Sequence, residues 1–471
     1  MVFCKVMRLE SEMKLIVPPL IISEDEGFEQ DLFGRKAFGQ SLKNVIINSD
    51  DALVISLDGM WGEGKSTFVR MWQGILKEDG IPNIYIDAFS NDYVDNAFIS
   101  VASAINSYIE SNAKDSSSVN VSRYKEKAKQ IGVKLLSLGA KIGVKAITLG
   151  ALENSDIELV KSLGDDISSN SSDFVSDLIE QKLSSHSADV QSFELFRKLL
   201  SELPNEIEGN DGKPLVIIID ELDRCRPSYA VDFIEKIKHF FSVKNVVFLL
   251  VMHKQQLEVA VKSIYGSEID AHSYLQKFIN IETSLPKATD LHGITDIDKY
   301  CNYLINAHEI AHPRINSESF QRYILALATY YNLSLRQLEK VYTNISIFAA
   351  SSNNNTLLIP PLLSFLAVIK VIKPDIYAKL DKQKLSYSQL VSSSELPDYD
   401  AANNLDRRLA TILELLQFSL LTQDEYSQIP LNEHIHLNRD ILYEYSIDRH
   451  ELLPFFIKKL NLFSVSSPKY I

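Results

Sequence analysis

A glycine-rich loop constrains the fold of this chain more than any other feature of its sequence. The apolar run Leu53–Leu57 leads into the loop Gly59–Thr67, which reads GMWGEGKST, and residues Phe68–Leu76 after it are compatible with a helix. This is the G-x-x-x-x-G-K-[ST] pattern in its usual setting between a strand and a helix. The glycines leave backbone N–H groups unshielded and the helix adds its N-terminal N–H groups, so the loop suits a triphosphate.

The pattern gives a role to the polar side chains of the loop. Lys65 is expected to reach the β and γ phosphates, and the Ser66 hydroxyl is expected to coordinate Mg²⁺. The other nucleotide-binding residues expected in the loop are Gly59, Gly62, Glu63, Gly64 and Thr67. The alternative is a glycine-rich turn with a chance Lys-Ser, which leaves unexplained why strand, glycines and Lys-Ser-Thr occur in register.

The length and charge of the chain narrow its class. At 471 residues it is expected to form two or three domains. A formal net charge of −14 argues against direct nucleic-acid binding, which needs a basic surface to neutralise phosphates. The three cysteines, Cys4, Cys225 and Cys301, lie far apart and form no CxxC pair, which favours a reducing compartment.

Residues 1–20 read as an N-terminal tail and not as a signal peptide. They carry scattered charges and two consecutive prolines, Pro18 and Pro19, in place of an apolar core. We therefore expect a cytoplasmic protein. A helical lead-in is expected over Asp25–Ile47, where Arg35 either lines an adenine pocket or lies on a solvated helix face.

Short apolar runs predict a parallel sheet within residues 21–289. We expect strands at Ala52–Leu57, Asn83–Asp87, Pro214–Asp220, Val246–Val251 and Phe278–Leu285. Asp87 ends the second run, where an acid either lies beside a bound ligand or forms a turn. Residues 290–471 show helical spacing without further strands, which predicts a helical lid and a C-terminal helical domain.

A helical insertion is expected to leave the sheet between about residues 111 and 192. Its most unusual part, residues 123–152, combines a lysine stripe, a glycine stripe and a broad apolar face at helical spacing. The internal lysines disfavour a membrane span, because a charge inside the bilayer is costly. Packing against protein is the favoured interpretation, and peripheral membrane contact by a surface-lying basic helix stays open.

An acidic motif supplies the second half of the predicted nucleotide site. The run Leu215–Ile219 is continuously apolar, as in a strand that is buried on both faces, and it ends in Asp220. An acid at that place would hold Mg²⁺ through its water shell, opposite the phosphate loop. Glu221 follows directly and is placed to polarise the attacking water as a general base. A capping acid pair is the weaker alternative, because the run follows a phosphate loop.

These motifs together resemble the KAP family of P-loop NTPases. The resemblance spans roughly residues 25–345, and its pieces are Asp31–Arg35, Gly59–Thr67, Asp87–Phe89, Asp220–Cys225 and Tyr274–Phe278. It implies an α/β fold with the additional-strand, catalytic-glutamate type of P-loop NTPase sheet, a helical insertion and an all-helical C-terminal region. It also implies ATP and Mg²⁺ as ligands, and a role in bacterial phage or plasmid defence.

Arginines outside the two motifs are candidates to complete the site. Arg336 lies in the first turn of an expected helix capped by Ser334, where related ATPases place an arginine that reaches the γ-phosphate. A surface pairing of Arg336 is the alternative. Arg224 and Arg226 are candidates to reach a neighbouring subunit's phosphate, and we therefore expect a homo-oligomer or a partner protein. Relatives end the next strand in Asp, whereas His253 follows it here, so that a sensor role for His253 stays open.

One apparent metal motif is not interpreted as a metal site. Residues His308–His312 match H-E-x-x-H, in which two histidines one helical turn apart bind Zn²⁺. Pro313 follows directly, and the residue before a proline is pushed out of helical geometry. No clear third ligand follows, and the histidines at 434 and 436 make no stronger case, so we expect no zinc chemistry.

Two functions of different classes follow. The first is an ATP-hydrolysing conformational or assembly switch with Glu221, Lys65, Arg336 and Arg224 as catalytic residues. The second is a nucleotide-binding scaffold or membrane-associated module with little or no turnover. No [NT]-K-x-D guanine-reading motif is visible, which favours ATP over GTP.

Overall fold

The structure is a computed structural model of the 471-residue chain. It describes residues 14–18, 20, 22, 27–49, 52–92, 97–112, 194, 197–206, 212–237, 243–287, 289, 293–309, 317–353, 355–397, 404, 406–428, 443 and 445–462. Contacts divide the chain into two compact units. The sheet unit comprises Ile21–Met60 and Gly64–Pro286, and the helical unit comprises Met1–Leu20, Trp61–Glu63 and Lys287–Ile471.

Within the described residues, five parallel strands form the sheet of the sheet unit. They are β1 (Leu53–Asp58), β2 (Asn83–Asp87), β3 (Leu215–Asp220), β4 (Val246–Met252) and β5 (Ile281–Ser284). Their order is β2-β3-β4-β1-β5, so β4 lies between the strand that precedes the phosphate loop and the strand that ends in Asp220. This inserted strand is the predicted additional strand, and the predicted fold class is confirmed.

The inner strands β3 and β4 are buried because helices cover both faces of the sheet. In β3, Leu215, Ile217 and Ile219 belong to one core, whereas Val216 and Ile218 belong to the other. Every residue of β3 and β4 is buried. This explains why both strands read as continuous apolar runs instead of alternating ones.

The described helices of the sheet unit are α1 (Lys36–Ile47), α2 (Lys65–Glu78), α3 (Ala97–Asn112), α4 (Pro227–Ile237), α5 (Lys254–Tyr265) and α6 (Ala271–Gln276), with 3₁₀ turns at Phe89–Asn91, Leu203–Glu206 and Leu222–Arg224. Phe68 and Trp72 of α2 pack in one core of the sheet, and Phe233 of α4 packs in the other. The predicted insertion at about 111–192, with its basic segment 123–152, lies almost entirely outside the described residues.

The predicted helical lead-in over Asp25–Ile47 is wrong in its first half, because α1 begins only at Lys36. Gly34 takes a left-handed φ of 71°. The Asp31 carboxylate accepts a 2.9 Å hydrogen bond from the Lys36 N–H. A turn held by a short acidic side chain therefore precedes the helix, which apolar spacing alone does not detect.

The last predicted strand, Phe278–Leu285, is also longer than the observed β5. Phe278 lies in a turn, in which its N–H donates to the carbonyl of Leu275 at 3.0 Å. Only Ile281–Ser284 pair with β1. The other four predicted strands agree with the structure to within one residue at each end.

Packed helices form the helical unit. Those described are α7 (Asp296–His308), α8 (Ser317–Tyr330), α9 (Leu335–Ala350), α10 (Pro360–Ile372), α11 (Pro374–Asp381), α12 (Tyr387–Ser394), α13 (Arg407–Leu420), α14 (Gln423–Ser427) and α15 (Leu452–Leu460), with a 3₁₀ turn at Arg449–Glu451. Helix α10 is buried from Pro361 to Ile369, and it is apolar all round because neighbours surround it. Across the ranges that the structure describes, none of the helices is both long enough and apolar enough to cross a membrane.

The predicted helix start at Ser334 is confirmed. The Gln337 N–H donates to the Ser334 hydroxyl at 3.3 Å, and the Ser334 N–H donates to the Gln337 side chain at 2.8 Å. This reciprocal pair is a capping box, which satisfies N–H groups that a helix start leaves without partners. It places Arg336 in the first turn of α9.

A short N-terminal segment is tied to the end of α7. The Lys14 N–H donates to the His308 carbonyl at 3.0 Å, and His308 Nδ1 lies 2.7 Å from the Lys14 carbonyl oxygen. A carbonyl oxygen only accepts, so Nδ1 carries the proton of the neutral ring. The His308 ring is buried and stacks on Tyr342. Burial lowers the pKa of His308 below its ordinary value, against opposing effects of the Lys14 hydrogen bond and the Glu339 charge.

We expect protonation of His308 to destabilise the helical unit. The pKa of His308 in the folded protein lies below the unfolded value of about 6.5. The neutral ring therefore contributes its full stabilisation above about pH 6.5, and this contribution is lost as the pH falls below that value. The melting temperature of the wild type, followed by circular dichroism, should fall between about pH 7.5 and 5.5 by more than that of a His308→Gln variant, which does not titrate there. Parallel pH profiles of the two proteins would contradict this expectation.

Candidate nucleotide-binding site

The phosphate loop joins β1 to α2. Gly62 and Gly64 take left-handed φ angles of 83° and 84°, which residues with a side chain rarely adopt. Gly64 is the N-cap of α2, so the helix begins at Lys65 and its first N–H groups have no intrahelical partner. A helix N-terminus preceded by glycine turns is suited to bind an anion, because unpaired N–H groups and the positive dipole end face the same place.

Lys65 is buried and bends back over the loop. Its ammonium group donates to the carbonyl oxygens of Gly59 and Met60, at 2.5 and 3.1 Å. Its charge also lowers the pKa of Asp220. The loop thus holds a desolvated cation close to its own carbonyls and to the acid that ends β3.

Asp220 ends β3 as a buried carboxylate surrounded by donors. The Tyr85 hydroxyl donates to Oδ2 and the Glu221 N–H donates to Oδ1, each at 2.8 Å. Burial raises the pKa of Asp220, and the Ser66 hydroxyl, the Tyr85 hydroxyl and the Glu221 N–H oppose the rise. The structure therefore brings together Ser66 and Asp220, the two residues predicted to hold the metal.

Glu221 occupies a turn immediately after β3. Its backbone is left-handed, with φ 61°, a conformation that is uncommon for a residue with a side chain and tends to mark functional sites. Its Oε1 lies 2.6 Å from Nη1 of Arg224 in the same chain. Burial raises the pKa of Glu221, Arg224 lowers it, and the neighbouring acids raise it further. Arg224, expected to serve a neighbouring subunit, thus has a partner within its own chain.

The neighbouring turn residues have partners of their own. The Asp87 carboxylate accepts hydrogen bonds from the N–H and the hydroxyl of Ser90, at 2.9 and 2.7 Å, so it forms a turn, one of the two roles that the sequence left open. Nε of Arg226 lies 3.7 Å from Oδ2 of Asp92, whose carbonyl also accepts a hydrogen bond from the Arg226 guanidinium.

Three residues of the predicted site, Gly62, Glu63 and Arg336, belong to the helical unit. A β-carbon built on Gly62 would lie 2.7 Å from Cβ of Arg336. The Glu63 carboxylate forms a 2.9 Å ion pair with Nζ of Lys287. Glycine is therefore needed at position 62 for two reasons, its positive φ and the close approach of Arg336 on α9. The loop motif predicts only the first of them.

Arg35 and His253 both lie in the sheet unit. Arg35 is buried, with its guanidinium carbon 4.5 Å from the centre of the Phe33 ring, so its placement on a solvated helix face is wrong. Its role in an adenine pocket stays a prediction. His253 directly follows β4, which lies between β1 and β3, and the next N–H, of Lys254, donates to the Asp58 carboxylate.

The apparent zinc motif does not form one helix in its described part. Helix α7 ends at His308, and Glu309 takes a left-handed φ of 49°. The His308 ring bonds to the Lys14 carbonyl. No group of three or more His, Cys, Asp or Glu side chains that could hold a metal ion is found within the described ranges. The remainder of the motif, residues 310–313, and the histidines at 434 and 436 lie outside those ranges.

One residue of the site belongs to neither motif. Tyr85 donates to Asp220 from the neighbouring strand, and no sequence motif gives it a role. The position of Tyr85 could have shown this contact, because Tyr85 lies two residues before Asp87 and residues two apart on a strand face the same side of the sheet.

Geometry and sequence comparison place the chain among the P-loop NTPases. The model of the KAP family P-loop domain matches residues 35–351, which is more than half of the chain. The chain therefore belongs to the KAP family. No curated protein matches it. Among solved structures, the Aeropyrum pernix ORC2 protein, determined as ADPNP–ADP complexes, has a TM-score of 0.36 and 12% identity over 96% of this chain and 98% of that chain. A TM-score this low does not establish a common fold.

The residues around Asp220 fit a bound magnesium ion. Mg²⁺ prefers oxygen ligands and usually takes one or two carboxylates with phosphates and waters. Asp220 is 2% exposed, and a carboxylate so buried is unfavourable unless donors or a cation compensate its charge. The Ser66 hydroxyl, in the first turn of α2, offers the second protein oxygen and lowers the pKa of Asp220.

We expect both described cysteines to be unreactive in the folded protein. Burial raises the pKa of the Cys225 thiol and that of the Cys301 thiol to about 12, and the thiolate is the reactive form. At about pH 8, an alkylating reagent should modify the native Cys4→Ser variant about a thousandfold more slowly than the unfolded variant. Mass spectrometry should then count two modified thiols in denaturant only. One rapidly alkylated cysteine in the native variant would contradict the burial of these thiols.

Proposed function

We propose that this KAP-family protein binds Mg²⁺·ATP and hydrolyses its terminal phosphate. The observation that carries the proposal is the buried Asp220 carboxylate at the end of β3, which accepts hydrogen bonds from the Tyr85 hydroxyl and the Glu221 N–H. The Ser66 hydroxyl and the Lys65 charge both lower the pKa of this carboxylate. A cation between carboxylate and phosphates would satisfy both, since each alone is a desolvated anion.

The chain's own residues divide the work of this reaction. The N–H groups of Gly62, Gly64 and Thr67 bind phosphate oxygens, and Lys65 exchanges its carbonyl partners for the β and γ phosphates. Ser66 and Asp220 would hold the metal, which neutralises charge developing on the phosphate oxygens when bound. Glu221 accepts a proton from the attacking water, and its raised pKa brings it closer to the working pH of a general base.

We extend the proposal to Arg336, to the choice of nucleotide and to the biological role. Arg336 as a γ-phosphate sensor is supported by its place in the first turn of a capped helix, against Gly62 of the phosphate loop. ATP is preferred to GTP because no guanine-reading motif is visible. The conformational or assembly switch, assembly with further subunits, a cytoplasmic site of action and a role in phage or plasmid defence come from the family resemblance and the sequence.

A nucleotide-binding scaffold without turnover is the competing function. The ion pair between Arg224 and Glu221 favours the scaffold function, because a carboxylate paired with a guanidinium is less able to take a proton from water. The two functions differ in one measurable quantity, the rate at which phosphate is released at saturating nucleotide.

We expect Glu221→Gln to lower steady-state phosphate release by about 100-fold or more, because a positioned general base contributes on that order. Nucleotide binding should be retained, since the amide keeps the shape of the carboxylate. Glu258→Gln is the matched control, because Glu258 of α5 pairs with His272 of α6 and has no part in the proposed site, so this variant should keep the wild-type rate. Equal, near-zero rates for wild type and Glu221→Gln would leave the scaffold function.

We expect Arg224 to act on Glu221 of its own chain. Arg224→Ala should lower the turnover number by about tenfold with little change in KM, because it loosens the base and touches no phosphate. Arg224→Lys should restore part of the rate. Mixtures of Arg224→Ala with Lys65→Ala protein should show no recovered hydrolysis at any ratio, with co-assembly checked by size-exclusion chromatography. Recovery in such mixtures would show instead that Arg224 serves a neighbouring subunit, as the sequence alone led us to expect.

A further inference from the structure

The inference concerns the hydroxyl group of Tyr85, which belongs to neither nucleotide motif. It donates a 2.8 Å hydrogen bond to Oδ2 of Asp220, while Oδ1 accepts the Glu221 N–H at the same distance. Each oxygen of the carboxylate therefore has one donor within the sheet unit. Two donors on opposite oxygens fix the rotation of a carboxylate about its last side-chain bond.

Strand pairing explains why Tyr85 reaches this carboxylate. Strands β2 and β3 run parallel, with Tyr85 opposite Ile218 and Asp87 opposite Asp220. Tyr85 and Ile218 pack in the same core, so Asp220, two residues after Ile218, faces the same side of the sheet. A diagonal neighbour on the adjacent strand lies within reach of an aromatic side chain. Phenylalanine would fill the same space without donating a hydrogen bond.

Helix α2 holds the tyrosine ring from the other side. The guanidinium carbon of Arg70 lies 3.5 Å from the centre of the Tyr85 ring, which is a close cation–π contact. Arg70 is four residues after Ser66, so both side chains lie on one face of α2. The helix that supplies the hydroxyl for the metal thus also supplies the cation that orients the tyrosine.

The tyrosine is a donor throughout the working pH range. Burial, followed by the charge of Asp220 and the hydrogen bond to it, raises the pKa of Tyr85 well above its ordinary value. The hydroxyl stays protonated, and the bond to the carboxylate is of the charge-assisted kind, which is stronger than a neutral one.

We propose that Tyr85 is a positioning residue for the metal, held in turn by Arg70, and that it sets the affinity of the site for Mg²⁺ in the presence of nucleotide. The inference rests on the proposed function, because it assigns Asp220 to the metal. It deepens that function by adding a strand residue that touches neither phosphate nor metal. Partners that orient a metal ligand typically account for about 10- to 100-fold in metal affinity.

The test measures metal dependence by binding, independently of turnover. A fluorescent, non-hydrolysable ATP analogue is titrated into the full-length protein at a series of Mg²⁺ concentrations and in EDTA. In Tyr85→Phe, the Mg²⁺ concentration for half-maximal enhancement of binding should rise by about tenfold. Affinity in EDTA should match that of the wild type, because the phosphate loop is unchanged.

A matched control separates positioning from the general loss of a tyrosine hydroxyl. Tyr229 is 5% exposed and packs in the opposite core of the sheet. Tyr229→Phe removes the same atom and should keep the wild-type Mg²⁺ dependence. Arg70→Met should shift the dependence in the direction of Tyr85→Phe but by less, and Arg70→Lys should restore part of it, because lysine also binds an aromatic face.

The outcomes distinguish this inference from the proposed function. A wild type whose nucleotide binding responds to Mg²⁺, with an equal response in Tyr85→Phe, would overturn the positioning role alone. Equal shifts in Tyr85→Phe and Tyr229→Phe would overturn it as well, since they would report on packing. A wild type that binds no nucleotide, with or without Mg²⁺, would overturn the proposed function and the inference together.

Discussion

A single buried carboxylate, that of Asp220, is the constraint on which the site depends. Removing an ionised carboxylate from water is strongly unfavourable unless donors or a cation take the place of the lost hydration. Its donors come from two different segments, the Tyr85 hydroxyl on β2 and the Glu221 N–H after β3, and the Ser66 hydroxyl on α2 lowers its pKa. The positions of α2 against the sheet and of β2 beside β3 therefore bring these groups to one charge.

The run Asp220–Cys225 shows how closely packing and chemistry are joined. Leu222 is buried in the core that also holds Cys225, which anchors the turn after β3. Between Asp220 and this anchor, Glu221 takes a left-handed conformation and pairs with Arg224. The turn thus orients Glu221, the candidate base, because Leu222 next to it is buried. The charge of Arg224 compensates in part for the acids around Glu221.

Much of the fold could be predicted because secondary structure produces recognisable patterns in the amino-acid sequence. Strands buried on both faces appear as apolar runs, and a serine followed three residues later by glutamine marks the start of α9 at Ser334. The start of α1 could not be predicted by spacing, because Gly34 turns the chain with a positive φ ahead of Lys36. The burial of Arg35 was missed for the same reason, since it lies at this turn and against Phe33.

The sequence by itself determined the phosphate loop, the acidic end of β3 and the family, because each is encoded within a few consecutive residues. Only the tertiary structure decided the contact between Tyr85 and Asp220, which are 135 residues apart, and the approach of Arg336 to Gly62. Such contacts depend on strand order, register and helix packing, which bring distant segments together through non-directional apolar burial. A motif states which groups a loop presents, whereas the fold decides which other side chains reach them.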